Sequence, residues 1–185
     1  KDRSVVDESR MQYGSNSYAA SKISAENILR SYRETHKLET VSLRLGAVYG
    51  PRRTTDCLVH RLIKNSINHE ALELDFGKDW SRPYVYVDDV LNAIQLAFEA
   101  PFRNLKQDAY NISGGIWPTI SDIANIVANV THSGSVNLQC GRTPNDYLIG
   151  PLDLEAARRD LGYKPRCTME RGIEIYYEWL QENAF

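Results

Sequence analysis

Tyr18 and Lys22 stand four residues apart in a stretch of helical periodicity, about 40° apart around the helix axis, so a phenol and an ammonium share one face. A neighbouring cation and the positive N-terminal end of a helix both favour phenolate over phenol. The pair therefore suits proton exchange with a hydroxyl group. Asp88 and Asp89 invite a metal reading, but they fall where a helix begins and where carboxylates meet the positive dipole end, so capping is the expectation. Cys57, Cys140 and Cys167 are far apart and form no C-x-x-C pair, which argues for incidental thiols in a reducing compartment.

The elements that position the pair follow from periodicity and turn chemistry. Asn16 or Ser17 can cap a helix whose apolar positions Ala20, Ile23, Ile28, Leu29 and Tyr32 recur at helical spacing, ending near Thr35. The β-branched and aliphatic run over residues 40–45 is a strand that ends at Gly46. The pattern then predicts a helix over 57–68, a strand over 84–87, a helix from Asp88 to just before Pro101 and a strand over 110–113. Beyond the Gly114-Gly115 break it predicts a helix over 120–130, an extended stretch over 135–140, and helices over 154–161 and 169–183. With no internal repeat and no long linker, the chain reads as one continuous α/β unit.

The chain of 185 residues carries 22 basic and 24 acidic groups, a formal charge of −2, so no global field recruits nucleic acid or an anionic membrane. No apolar run approaches the roughly 20 residues that span a bilayer, and the first residues are charged rather than signal-like. A cytoplasmic location is the expectation.

The order of Tyr18-x-x-x-Lys22-x-x-x-Glu26, then Arg44-Leu-Gly-Ala-Val-Tyr49-Gly50-Pro51, Arg82-Pro-Tyr-Val-Tyr-Val-Asp88-Asp89, Tyr110-Asn-Ile-Ser-Gly-Gly115 and Asp153 followed by 161–165 resembles the extended short-chain dehydrogenase/reductase family. The nucleotide-sugar epimerase and dehydratase branch is the nearest match, and the resemblance covers nearly the whole chain. It implies the C-terminal part of a Rossmann-type doubly wound parallel sheet plus a small α/β substrate-binding region. Residues 1–75 and 84–115 would belong to the Rossmann half, and 76–83 and 116–185 to the substrate region.

What the resemblance implies about chemistry is specific. Tyr18 would be the acid/base on a sugar hydroxyl while hydride passes to and from NAD, with NADP left open. Lys22 would hold the nicotinamide ribose and favour the phenolate, and Leu45 and Gly46 would lie against the cofactor. Gly46 equally serves as a plain strand terminator. Arg82 would grip the substrate diphosphate, a role suited to a forked, permanently charged donor, and Arg142 and Asp146 would contact the nucleoside end, at a spacing one residue longer than usual. Gly150 would sit where a bulky side chain narrows the sugar pocket, so that an N-acetylated hexose is admitted. Epimerisation of a nucleotide-sugar is the leading expectation. Dehydration, reduction of a non-nucleotide substrate and a non-catalytic cofactor-sensing role are the alternatives.

Two departures stand out. Ala47 replaces the asparagine often found in R-x-x-N-V-Y-G-P, which removes one phosphate donor. No glycine-rich turn that cradles a dinucleotide pyrophosphate occurs, and the family's catalytic serine or threonine would precede residue 1. The expectation is a chain that alone binds NAD weakly and turns over nothing, completed by a preceding half of the same protein. A homodimer is a further expected assembly.

Overall fold

The computed structural model describes residues 4–55, 57–133, 136–141 and 150–183. Helix α1 (Ser17–His36) leads into strand β1 (Ser42–Leu45), which resumes past Gly46 as β2 (Ala47–Tyr49). There follow α2 (Leu58–Ile67), β3 (Leu72–Leu74), β4 (Tyr84–Tyr86), α3 (Val87–Glu99) and a 3₁₀ turn at Phe102–Asn104. The chain continues through β5 (Ala109–Ile112), α4 (Ile120–Thr131), β6 (Val136–Leu138), α5 (Glu155–Leu161) and α6 (Met169–Glu182). Strand β3 is an addition to the sequence expectation: three residues between a helix and a turn carry too little periodicity to be seen.

All strand pairs are parallel, as the α/β pattern requires. β1 lies against β5 from Ser42↔Ala109 to Leu45↔Ile112, and β2 against β4 from Ala47↔Tyr84 to Tyr49↔Tyr86. The switch of partner happens at Gly46, whose N–H donates to the Ile112 carbonyl at 2.8 Å, while the Ala47 N–H donates to Pro83 O at 2.7 Å. A Cβ on Gly46 would stand 2.5 Å from that Pro83 oxygen, so this crossing requires glycine. β3 pairs with β6 in a separate two-stranded ladder.

Two apolar cores result. One joins α2, α4 and α6 through Val59, Leu62, Ile63, Ile123, Ile173 and Tyr176. The other joins α3, α5 and β5 through Val90, Ala93, Tyr110, Ile112, Ala157 and Leu161. Helix α2 and strand β3 pack with α4, α6 and β6, in a core that also takes in Tyr49, Tyr84 and Tyr86 of β2 and β4. The amphipathic face of α2 brings this about: Val59, Leu62, Ile63 and Ser66 are its buried residues, and they meet α4 and α6.

Helix α1 differs from the rest, having no buried residue. Ile28 and Tyr32 are 57% and 51% exposed. Among the described residues β1 is paired along one edge only. In α3, Leu91, Ile94 and Phe98 form an exposed apolar stripe at helical spacing.

Candidate active site

Asn16 caps α1, its side chain accepting the Ala19 N–H at 2.8 Å. That cap sets the first turn, which carries Tyr18. The Lys22 ammonium lies 5.4 Å from the Tyr18 ring centroid, on the same face of the helix. Tyr18 is 71% exposed, so among the described residues nothing seals it from a ligand.

Because α1 buries nothing, polar ties hold it to the sheet. Glu26 accepts Arg44 Nε at 3.0 Å and Nη2 at 2.6 Å, a two-pronged pair across α1 and β1. Arg44 also donates through Nη1 to the Glu8 carbonyl at 2.9 Å, and Gln12 donates to Glu26 at 3.3 Å. Arg44 holds the Glu26 carboxyl below its ordinary range. Lower on the helix, Asp108 accepts from both Arg30, at 3.0 Å, and Arg33. Asp108 lies just ahead of β5 and its carbonyl accepts the Ser42 N–H at the start of β1, whereas Glu26, nearer the helix N-terminus, meets Arg44 further along β1, so α1 and β1 are antiparallel.

The ties fix where Tyr18 sits. It lies eight residues nearer the helix N-terminus than Glu26, about 12 Å at the rise of an α-helix. The same distance beyond Arg44 along a strand is about three to four residues, which brings Tyr18 level with Ala47 and Val48. At the C-terminal ends of β2 and β4 a cleft of about 680 Å³ opens, lined by Arg52, Arg53, Asp88, Leu91 and Trp179 among others. Arg53 is tied to the Val48 and Thr55 carbonyls.

The remaining expected site residues divide. Leu45 presents a side chain 43% exposed. Gly46 donates its N–H to Ile112 and a Cβ there would meet the Pro83 carbonyl, so the strand crossing accounts for glycine at this position. Arg82 is half-buried, stacked on Trp80 with Cζ 4.3 Å from the ring centroid. Arg142 and Asp146 lie outside the described residues. Gly150 is buried, and a Cβ there would stand 2.2 Å from the Ser4 carbonyl. The segment at Ser4 and Val6 packs directly against Gly150, and the Val6 N–H donates to Pro151 O at 2.8 Å.

Both acidic residues lie in the first turn of α3, as the sequence places them. Asp88 is exposed, whereas Asp89 is 3% exposed and its carboxylate is spent on a distant backbone segment. Its carboxylate accepts the N–H groups of Arg166 at 2.9 Å and Cys167 at 3.2 Å, which fixes the segment entering α6. Among the described residues no group of three His, Cys, Asp or Glu side chains could hold a metal ion. Among the same residues no helix is long and apolar enough to cross a membrane. The Glu26–Arg44 pair and the Trp80 stack are the parts that sequence alone did not reveal. The first spans 18 residues of sequence, a separation that carries no periodic signal. The second was open to a local reading, an aromatic residue two positions before an arginine.

Several comparisons bear on this arrangement. The chain is 25% identical to the Staphylococcus aureus protein named CapI, over 89% of this chain and 54% of that one. It is 27% identical to a dTDP-glucose 4,6-dehydratase of Shigella flexneri, over 92% of this chain and 48% of the relative. The chain spans about half the length of the curated relatives it matches. A solved UDP-glucuronic acid 4-epimerase of Bacillus cereus, in complex with UDP-glucuronic acid and NAD, superposes with a TM-score of 0.84 at 25% identity, covering 97% of this chain and 57% of that one. The family model described as NAD dependent epimerase/dehydratase family matches residues 2–113.

Proposed function

The chain belongs to the NAD dependent epimerase/dehydratase family, and from that premise we propose that it carries the proton-transfer and substrate-binding residues of an enzyme that epimerises a nucleotide-sugar. The supporting observation is the Lys22 ammonium beside a solvent-open Tyr18 phenol, on a capped helix tied to the sheet by Glu26 and Arg44. Tyr18 Oη takes the proton of a sugar hydroxyl and returns it, while the Lys22 charge favours the phenolate through which it does so. Arg82 grips the diphosphate as a forked donor. Leu45 flanks the cofactor. NAD, when bound, supplies a carbon that accepts a hydride and gives it back.

The residues present fit the nicotinamide-ribose end of that cofactor. Tyr18 and Lys22 offer a hydroxyl and an ammonium on an uncovered helix face. The pyrophosphate end would be held by a glycine-rich turn in a preceding segment of the same protein. That segment would also carry the serine or threonine partner of Tyr18, pair with the open edge of β1 and cover α1. This chain by itself would then be inactive.

Dehydration is the second reading, favoured by the 27% identity to dTDP-glucose 4,6-dehydratases. Mass analysis of the product formed by the full-length protein separates the two, because epimerisation conserves mass and dehydration loses one water. In the same assay Tyr18→Phe should abolish turnover and spare NAD binding. Unchanged turnover would remove Tyr18 from the mechanism.

A further inference from the structure

Four residues before β4 the chain passes through Trp80, which is 6% exposed. Its backbone is fixed from both sides: the N–H donates to Gly77 O at 3.1 Å, and the carbonyl accepts the Ile120 N–H at 3.0 Å. The adjacent Ser81 bridges Thr119. On this platform lies the Arg82 guanidinium, 4.3 Å from the ring centroid. The indole Nε1–H is itself buried and, among the described residues, has no hydrogen-bond partner.

That unpaired donor is the informative detail. Burying a donor without an acceptor is unfavourable, and a phenylalanine would fill much of the same space without it. Packing alone therefore does not account for an indole at this position. What indole does better than any other side chain is present an electron-rich face to a cation. We infer that Trp80 is a positioning residue for Arg82, holding its guanidinium flat so that the planar donor edge is presented to a diphosphate in one orientation. Stacking engages the face of a guanidinium and not its edge. An ammonium has no such face, so lysine cannot replace Arg82 here. The gain comes from ordering the side chain before the ligand arrives. This inference rests on the reading of Arg82 as the diphosphate-gripping residue.

The test is titration calorimetry on the full-length protein with UDP, dTDP and the two parent nucleosides. Trp80→Leu should weaken diphosphate binding about tenfold, the size expected for loss of a buried cation–π contact, and leave nucleoside binding unchanged. Trp80→Phe should restore most of the loss. Arg82→Gln should weaken diphosphate binding at least as much, and adding Trp80→Leu to it should cost nothing more. Multiplying effects in the double variant, or a parallel fall in nucleoside affinity, would reduce Trp80 to a packing residue and overturn the inference. Should Trp80→Leu fail to fold, Trp80→Phe carries the test: about a threefold loss in the Arg82 background and none in Arg82→Lys, whose ammonium gains little from the stack. Equal losses in both backgrounds would also overturn it. Unaltered diphosphate binding by Arg82→Gln would instead sink the reading of Arg82, whatever Trp80 does.

Discussion

Replacing Glu26 by glutamine tests the idea that a polar tie, rather than a buried face, holds helix α1. The carboxylate is 11% exposed and accepts two hydrogen bonds from Arg44, itself 23% exposed. An exposed ion pair contributes about 0–1 kcal/mol, and breaking a fully buried one costs about 3–5 kcal/mol. This pair lies between the two, so Glu26→Gln should cost about 2 kcal/mol in urea unfolding of the full-length protein, with the m-value unchanged. The effect carries a pH signature. The Glu26 carboxyl is held below its ordinary value of 4.5, first by the Arg44 hydrogen bonds. A lowered carboxyl contributes stability that is complete above the unfolded value and is lost as the pH falls through the lower folded value. The gap between the native protein and Glu26→Gln should therefore be constant from pH 7 to about pH 6 and shrink below about pH 4.5. Tyr18 stands about 12 Å up the helix from this tie, so kcat should fall about tenfold with KM nearly constant. A gap that is absent at pH 7, or that persists undiminished at pH 3, would refute the reasoning.

Asp89→Ala should cost about 2–3 kcal/mol, because two backbone N–H groups at 166 and 167 lose a charged acceptor; chemical denaturation measures it, and a loss under 1 kcal/mol would contradict the assignment. Gly172→Ala places a methyl 2.3 Å from the Tyr49 hydroxyl, so about 1–3 kcal/mol of stability should go to overpacking, seen as a lower melting temperature. Gly150→Ala should likewise destabilise, through its 2.2 Å clash with the Ser4 carbonyl, and should leave unaltered the ratio of rates on glucose and N-acetylglucosamine substrates. Hydrogen exchange on this chain alone should find α1 among the least protected elements, since none of its residues is buried.

Much of this molecule is legible in its sequence because the signals are local. Asn16 ahead of a stretch of helical periodicity and the β-branched run into Gly46 are encoded within a few residues of where they act. The four-residue spacing of Tyr18 and Lys22 is equally local, since one helix turn suffices to bring the two side chains together. Tertiary structure decided what depends on distant partners. The need for glycine at 46 depends on the Pro83 carbonyl, 37 residues away by number. The target of Asp89, the packing of α2 and β3 against α4, α6 and β6 and the contact of Gly150 with Ser4 depend on distant partners in the same way. A carboxylate or a missing methyl has the same local sequence whichever neighbour it meets, and only the packed chain supplies that neighbour.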